Sequence, residues 1–212
     1  MSKSNKEEIS EASEARKPGA YSPAEVEDRL YAEWTEKGLF HGDPKADAKS
    51  YSIVIPPPNV TAALHLGHAL NNSIQDILIR KHRMEGFSAE WLPGSDHAGI
   101  ATQVIVEKQL TSEGLTRREL GREKFLERTT TWAHDNKDKI LNQLKKMGCS
   151  CDWERTKFTL DPELSLAVGH VFKHLYEKDL IYRGNRIVNW CPSCKTSLSD
   201  DEVEHKNIDS HL

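Results

Sequence analysis

The chain has 212 residues, 29 basic against 33 acidic, for a formal net charge of −4 at pH 7; 37% of its residues are hydrophobic and 29% charged. That length allows one domain or one and a half, the apolar share is enough for a core, and no apolar run nears the roughly 18 residues that span a bilayer. A domain whose main task is to grip nucleic acid is usually visibly basic, so a grip on RNA is expected only on a local patch or elsewhere.

Residues 1–20 carry almost no apolar side chains and read as a disordered leader. No signal-peptide core follows Met1, which makes the cytoplasm the expected location. Ser22-Pro23 suits the N-cap and first turn of a helix that carries Val26, Leu30 and Trp34 and ends at Gly38. A core strand is expected over 51–55. After it, Pro56-Pro57-Pro58 forbids helix, and an amphipathic helix from about His65 to Glu85 is expected to bury Leu70, Ile74, Ile77 and Leu78, with Gly86 as its stop. Ser88–Leu92 reads as a second strand, the run from Pro93 to Gly99 as a loop, and Ile100 to about Glu113 as a helix. Strand, helix, strand at this spacing is a parallel βαβ unit, and both loops then lie at the carboxyl edge of one sheet, where open α/β folds bind ligands. A long helix over 122–147 should turn Phe125, Trp132, Leu141, Leu144 and Met147 inward. Asp161-Pro162 opens another helix, and from Leu180 the pattern becomes strand-like up to Cys191-Pro-Ser-Cys194.

The fold class expected is therefore α/β: the first half of a doubly wound, Rossmann-like parallel sheet, with a small β element around the cysteine knuckle. The first loop delivers His65 and His68 onto the first turn of a helix, where backbone N–H groups and the dipole already suit a phosphate. Alone, such a pair reads as one solvated and one packed histidine; after a strand and a proline loop it reads as a phosphate site. Gly67 between them leaves room for close approach of a ligand. Asp96, at the second strand's end, can hold an ammonium group or simply cap the following helix.

These residues carry a resemblance. PPPNVTAALHLGHA resembles the His-Ile-Gly-His region of class I aminoacyl-tRNA synthetases, and PPPNVT with GSDHAGIATQ is similar to the valyl-tRNA synthetases among them. The likeness extends through Tyr31-Ala-Glu-Trp34 and Asn189-Trp-Cys-Pro192 and covers about residues 20–205. It implies ATP-dependent activation of valine to valyl-adenylate, then transfer to tRNA(Val). His65 and His68 would be the catalytic pair that holds the triphosphate, with Asn59 and Gly67 also at the ATP. Pro56, Asn59 and Asp96 would bind valine, Pro56 as part of an apolar wall. Such a wall separates valine from isosteric threonine only about a hundredfold, a figure already known for these enzymes rather than obtained from this chain, which is why they carry an editing domain. The family usually has glycine where this chain has Ala62, a harmless change only if φ there is negative.

Cys191 and Cys194 supply half of a tetrahedral zinc site; His205 could serve as a third ligand but reads first as a solvated histidine, and Cys149 and Cys151 read as ordinary thiols. His41, His82, His134, His170 and His174 belong to no constellation visible in the sequence. The implied cofactors are ATP with Mg2+, and Zn2+; the implied partners are valine, ATP and tRNA(Val), with no membrane and a monomeric state. The domain reading is a leader over 1–20, the N-terminal half of a catalytic domain over 21–185, and the start of a connective or editing insertion over 186–212. The family's Lys-Met-Ser-Lys-Ser loop does not occur in the chain, so it is expected to be an N-terminal fragment unable to charge tRNA alone. Two other readings stay open: a small HxGH-type adenylyltransferase, and a non-catalytic zinc-knuckle binding module.

Overall fold

A computed structural model describes residues 21–44, 47–207 and 209; the expected leader, 1–20, lies outside them. The chain divides into two units, Met1–Ser165 and Leu166–Leu212. In the first, α1 (Pro23–Glu36) precedes β1 (Ser50–Val54), α2 (Leu66–Met84), β2 (Ser88–Leu92) and the two-residue β3 (Gly94–Ser95). Then come α3 (Ile100–Ser112), α4 (Arg117–Leu120), α5 (Arg122–Lys146) and β4 (Lys157–Phe158). Helix α6 (Pro162–Glu177) begins in the first unit and continues into the second, where β5 (Asn189–Cys191) and β6 (Thr196–Leu198) form an antiparallel hairpin. Among the described residues no helix is long and apolar enough to cross a membrane.

The segment 88–96 is the middle of the first unit. On one side β1 pairs with β2 in parallel, Ser50 opposite Ser88 through Val54 opposite Leu92, with α2 as the crossover. The pairing continues past the strands: Ile55 N–H donates to Leu92 O at 3.0 Å, and Asn59 bridges Asp96. On the other side Asp152 N–H donates to Trp91 O (2.9 Å) and Lys157 N–H to Pro93 O (3.1 Å), leading into the parallel β3–β4 pair. Gly94 is glycine for a reason of space: a Cβ there would lie 2.8 Å from Lys157 O, closer than any side chain tolerates.

Trp91, Ile55, Val60, Ile79, Ile140, Leu144, Cys151 and Phe158 form the core over this segment. Helix α5 lies across it through Ala133, Asn136, Ile140 and Leu144. Of the residues expected to face inward on α5, Leu144 is buried, Phe125, Trp132 and Leu141 are half-buried, and Met147 is exposed. The same helix seats the proline loop: Trp132 Nε1–H donates to Val60 O (3.2 Å), and Gln143 Oε1 accepts from Leu64 N–H (3.0 Å).

Helix α2 departs from expectation. Leu70, Ile74, Ile77 and Leu78 are exposed at 66%, 52%, 65% and 38%. The inward face is instead built from Asn72, Gln75, Asp76, Ile79 and Arg83, and its polar groups meet fixed partners except at Asn72 Oδ1 and Arg83 Nε, which are buried without one among the described residues. Gln75 Oε1 accepts from the buried Trp91 Nε1–H (3.0 Å), Asp76 Oδ1 accepts from Ser150 N–H (2.8 Å), and Arg83 donates to Phe40 O and Ser150 O (2.9 Å each). Buried polar groups are tolerable when paired in this way. Helical periodicity identifies an apolar stripe but not which stripe the neighbouring strands cover.

Candidate active site

His65 is the N-cap of α2, in extended geometry (φ −115°, ψ 174°), and the two histidines cap the helix reciprocally. Gly67 N–H donates to His65 Nδ1 (3.0 Å) and His65 N–H donates to His68 Nδ1 (3.2 Å), with the ring centroids 4.0 Å apart. Two helix N–H groups are thus already satisfied by imidazoles rather than left open. Because each Nδ1 accepts, the proton of each neutral ring is on Nε2, so both rings offer an Nε2–H donor away from the helix end. Burial and the neighbouring His65 ring hold His68 below its ordinary pKa, which keeps it in this neutral form. The space beside Gly67 is filled by the His65 ring: a Cβ would stand 2.8 Å from its Cε1. Glycine here makes room for the folded-back imidazole.

A cleft of about 510 Å³ brings together Pro56, Pro57, Pro58, Asn59, His65, Gly67 and His68, so all but one of the residues singled out in the two loops share it. The exception is Asp96, which does not line it. Asp96 is joined to it through the backbone, since its N–H donates to Pro58 O and its C=O accepts from Val60 N–H, both at 2.9 Å. Pro58 loses nothing by lacking an N–H, because this ladder uses only its carbonyl. Ala62 is not among the residues with positive φ, so alanine in place of the family's usual glycine is harmless. Of the two loops it is the second that holds positive-φ residues, Gly99 (φ 43°) and, at a cost for a residue with a Cβ, Ala98 (φ 53°).

Asp96 does not cap α3; its N-cap is Gly99, with no side-chain bond. The carboxylate instead accepts from Thr159 Oγ1 (3.0 Å) and lies 3.4 Å from His97 Nδ1. Thr159 was not singled out in the sequence, where no motif marks it. His41, expected to stand alone, is 2.8 Å from the buried Asp152 and groups with Glu154. Arg155 also reaches Asp152 (3.6 Å), so that carboxylate's charge is already balanced. His82 stacks on Tyr51 at 3.7 Å as a packing residue. A larger cleft, about 830 Å³ between α1, α2 and α5, has among its lining charges two ion pairs, Arg80 with Asp76 and Lys146 with Asp28.

Burial pushes Cys149 up to about 12 and raises Cys151 further, so both are inert thiols. In the β5–β6 hairpin, Cys194 N–H donates to Cys191 Sγ (3.3 Å), and hydrogen bonds from Cys194 lower the Cys191 thiol. Among the described residues, the grouping of three or more potential metal ligands is His41–Asp152–Glu154 and includes neither cysteine nor His205. Among the described residues the two thiols supply two of the four ligands that a structural zinc requires, so by themselves they do not complete such a site.

The family model described as tRNA synthetases class I (I, L, M and V) matches residues 29–211. The chain is 56% identical over 199 residues to a valine–tRNA ligase of Syntrophotalea carbinolica, covering 94% of this chain and 22% of that protein. It is 57% identical over 192 residues to that of Geobacter sulfurreducens, covering 91% and 22%. The chain thus spans about a fifth of the length of the curated relatives it matches. A crystal structure of Agrobacterium radiobacter LeuRS in a ternary complex with tRNA and LeuAMS matches with a TM-score of 0.71 and 25% identity, over 87% of this chain and 22% of that one. A parallel βαβ unit, a histidine turn opening its crossover helix and these likenesses agree: the chain belongs to the class I tRNA synthetase family of the I, L, M and V enzymes.

Proposed function

We propose that this chain is the part of a valine–tRNA ligase that binds ATP and valine and carries out valine activation, the acyl group then passing to tRNA(Val). The observation that carries the reading is the Asn59–Asp96 bridge, which makes the histidine turn and the aspartate loop neighbours at the carboxyl ends of two parallel strands. Relatives above 50% identity named valine–tRNA ligase support the choice of amino acid. Residues 21–185 then form half of the catalytic domain and 186–212 the start of an insertion, in a cytoplasmic, monomeric enzyme.

In this reaction the valine carboxylate itself attacks the α-phosphorus of ATP. An oxygen–phosphorus bond forms, the bond from that phosphorus to the bridging oxygen breaks, and pyrophosphate leaves. No protein nucleophile is needed, so the side chains position the reactants and stabilise charge. His65 and His68 direct their Nε2–H groups to phosphate oxygens as charge builds, with Asn59 and Gly67 beside them. Asp96 accepts from the valine ammonium, and Pro56 offers an apolar surface to its side chain. Mg2+ bound with ATP would supply charge neutralisation at the phosphates. The test joins residues 1–212 to the remainder of the Geobacter sulfurreducens ligase and measures valine-dependent ATP–pyrophosphate exchange. Exchange is expected, and it should fall at least about a hundredfold in the His65→Ala, His68→Ala double variant, the scale of removing preorganised donors. Exchange promoted equally by other amino acids, or unaltered by the double variant, would refute the reading.

A further inference from the structure

Thr159 follows β4, 63 residues beyond Asp96, and one hydroxyl there meets three groups of the second loop. Thr159 Oγ1 donates to Asp96 Oδ1 (3.0 Å), accepts from His97 N–H (2.9 Å) and lies 2.6 Å from His97 Nδ1. A hydroxyl has one proton and two lone pairs. With the proton directed at the carboxylate and one lone pair taken by the His97 amide, the imidazole contact requires a proton on Nδ1. The oxygen itself is held firmly: Thr159 N–H donates to Ser95 O (3.2 Å), and a β-branched side chain has little freedom at χ1. The Asp96 and His97 side chains are 34% and 37% exposed, open enough to meet a ligand. Among the described residues the hydrogen bond to Asp96 is made to Oδ1, leaving Oδ2 to accept another donor.

From this geometry we infer that Thr159 is a positioning residue for amino-acid binding: its hydroxyl sets the orientation of the Asp96 carboxylate and, through the same oxygen, holds a proton on Nδ1 of His97. The consequence for catalysis rests on Asp96 as acceptor of the substrate ammonium; the hydrogen-bond arrangement does not. The middle segment 88–96 thereby carries an aspartate held from both sides, its backbone by Pro58 and Val60 and its carboxylate by Thr159.

Two measurements test this. Imidazole nitrogen-15 spectra of the 212-residue chain at neutral pH should show His97 with a protonated Nδ1. Thr159→Ser should keep that pattern and the isosteric Thr159→Val should lose it. A wild-type spectrum with Nδ1 unprotonated overturns the inference without any variant. In the chimeric ligase, Thr159→Val should raise the KM for valine about tenfold, the scale of one hydrogen bond to a charged group, with the KM for ATP, kcat and Tm held, and Thr159→Ser should restore it. Asp96→Asn separates the two readings. If it raises the valine KM while Thr159→Val does not, the positioning role is overturned alone; if it leaves the valine KM unchanged, the ammonium reading falls and takes the catalytic consequence with it.

Discussion

Asn59 and Asp96 face each other across a parallel bridge in which the aspartate's own N–H and C=O make both bonds, to Pro58 and Val60. The two loops are therefore joined by main chain, and their spacing does not depend on which side chain occupies position 59. Asn59 itself is exposed at the mouth of the cleft. Asn59→Ala is expected to change stability by no more than about 0.5 kcal/mol, as for an exposed side chain, while lowering exchange in the chimeric ligase. Thermal melts run beside the exchange assay check this; a large fall in Tm would mean the amide holds the loops together.

Gly67→Ala should act on the histidine turn without unfolding the helix. The new Cβ would stand 2.8 Å from His65 Cε1, so the ring must swing out and release the Gly67 N–H it now accepts. Losing an N-cap costs about 1 kcal/mol, and the displaced ring should lower exchange more than stability. Exchange at the wild-type level in a folded Gly67→Ala protein would show that the ring's present position is not the working one.

His68 links stability to acid. Its folded-state pKa lies below the unfolded value of about 6.5, because burial and the His65 ring disfavour the cation. The unfolded chain therefore holds more protons over that interval, and stability rises with pH through it: the contribution is complete above about 6.5 and is lost as pH falls through the folded pKa. Wild-type Tm should drop more steeply between pH 7.5 and 5.5 than that of His68→Gln. Parallel Tm curves for the two proteins would contradict this assignment.

The four thiols should separate by reactivity. Cys191 is lowered by hydrogen bonds from Cys194, whereas Cys149 and Cys151 are raised by burial. Brief iodoacetamide treatment at pH 7.5 followed by peptide mass spectrometry should find Cys191 modified first. Cys149 and Cys151 should react only in denaturant, since the thiolate is the reacting species.

Ala98 adopts φ 53°, in the left-handed region that costs a residue with a Cβ about 1–2 kcal/mol. Glycine removes that cost and adds about 0.5–1 kcal/mol of backbone entropy to be lost on folding. Ala98→Gly is thus expected to stabilise the chain by about 0.5–1 kcal/mol, read as a right-shifted urea midpoint at constant slope. A left shift would show that the loop relaxes in solution.

Local chemistry made much of this molecule readable in advance. Strand Ser88–Leu92, the proline-limited loop and a helix opening at the His65–His68 pair follow from patterns a few residues long, because φ restriction, side-chain alternation and capping act between near neighbours. Contacts between distant segments were not encoded that way. Asp96 meets Thr159 across 63 positions and His41 meets Asp152 across 111, and nothing in either neighbourhood announces the other. Helix α2 turned its polar stripe inward because Trp91 and Ser150 supplied partners for Gln75 and Asp76, which a periodicity count cannot foresee. Neighbouring residues select a backbone shape; which faces are buried, and which hydroxyl braces a carboxylate, is settled only when the segments 88–96 and 152–159 pack side by side.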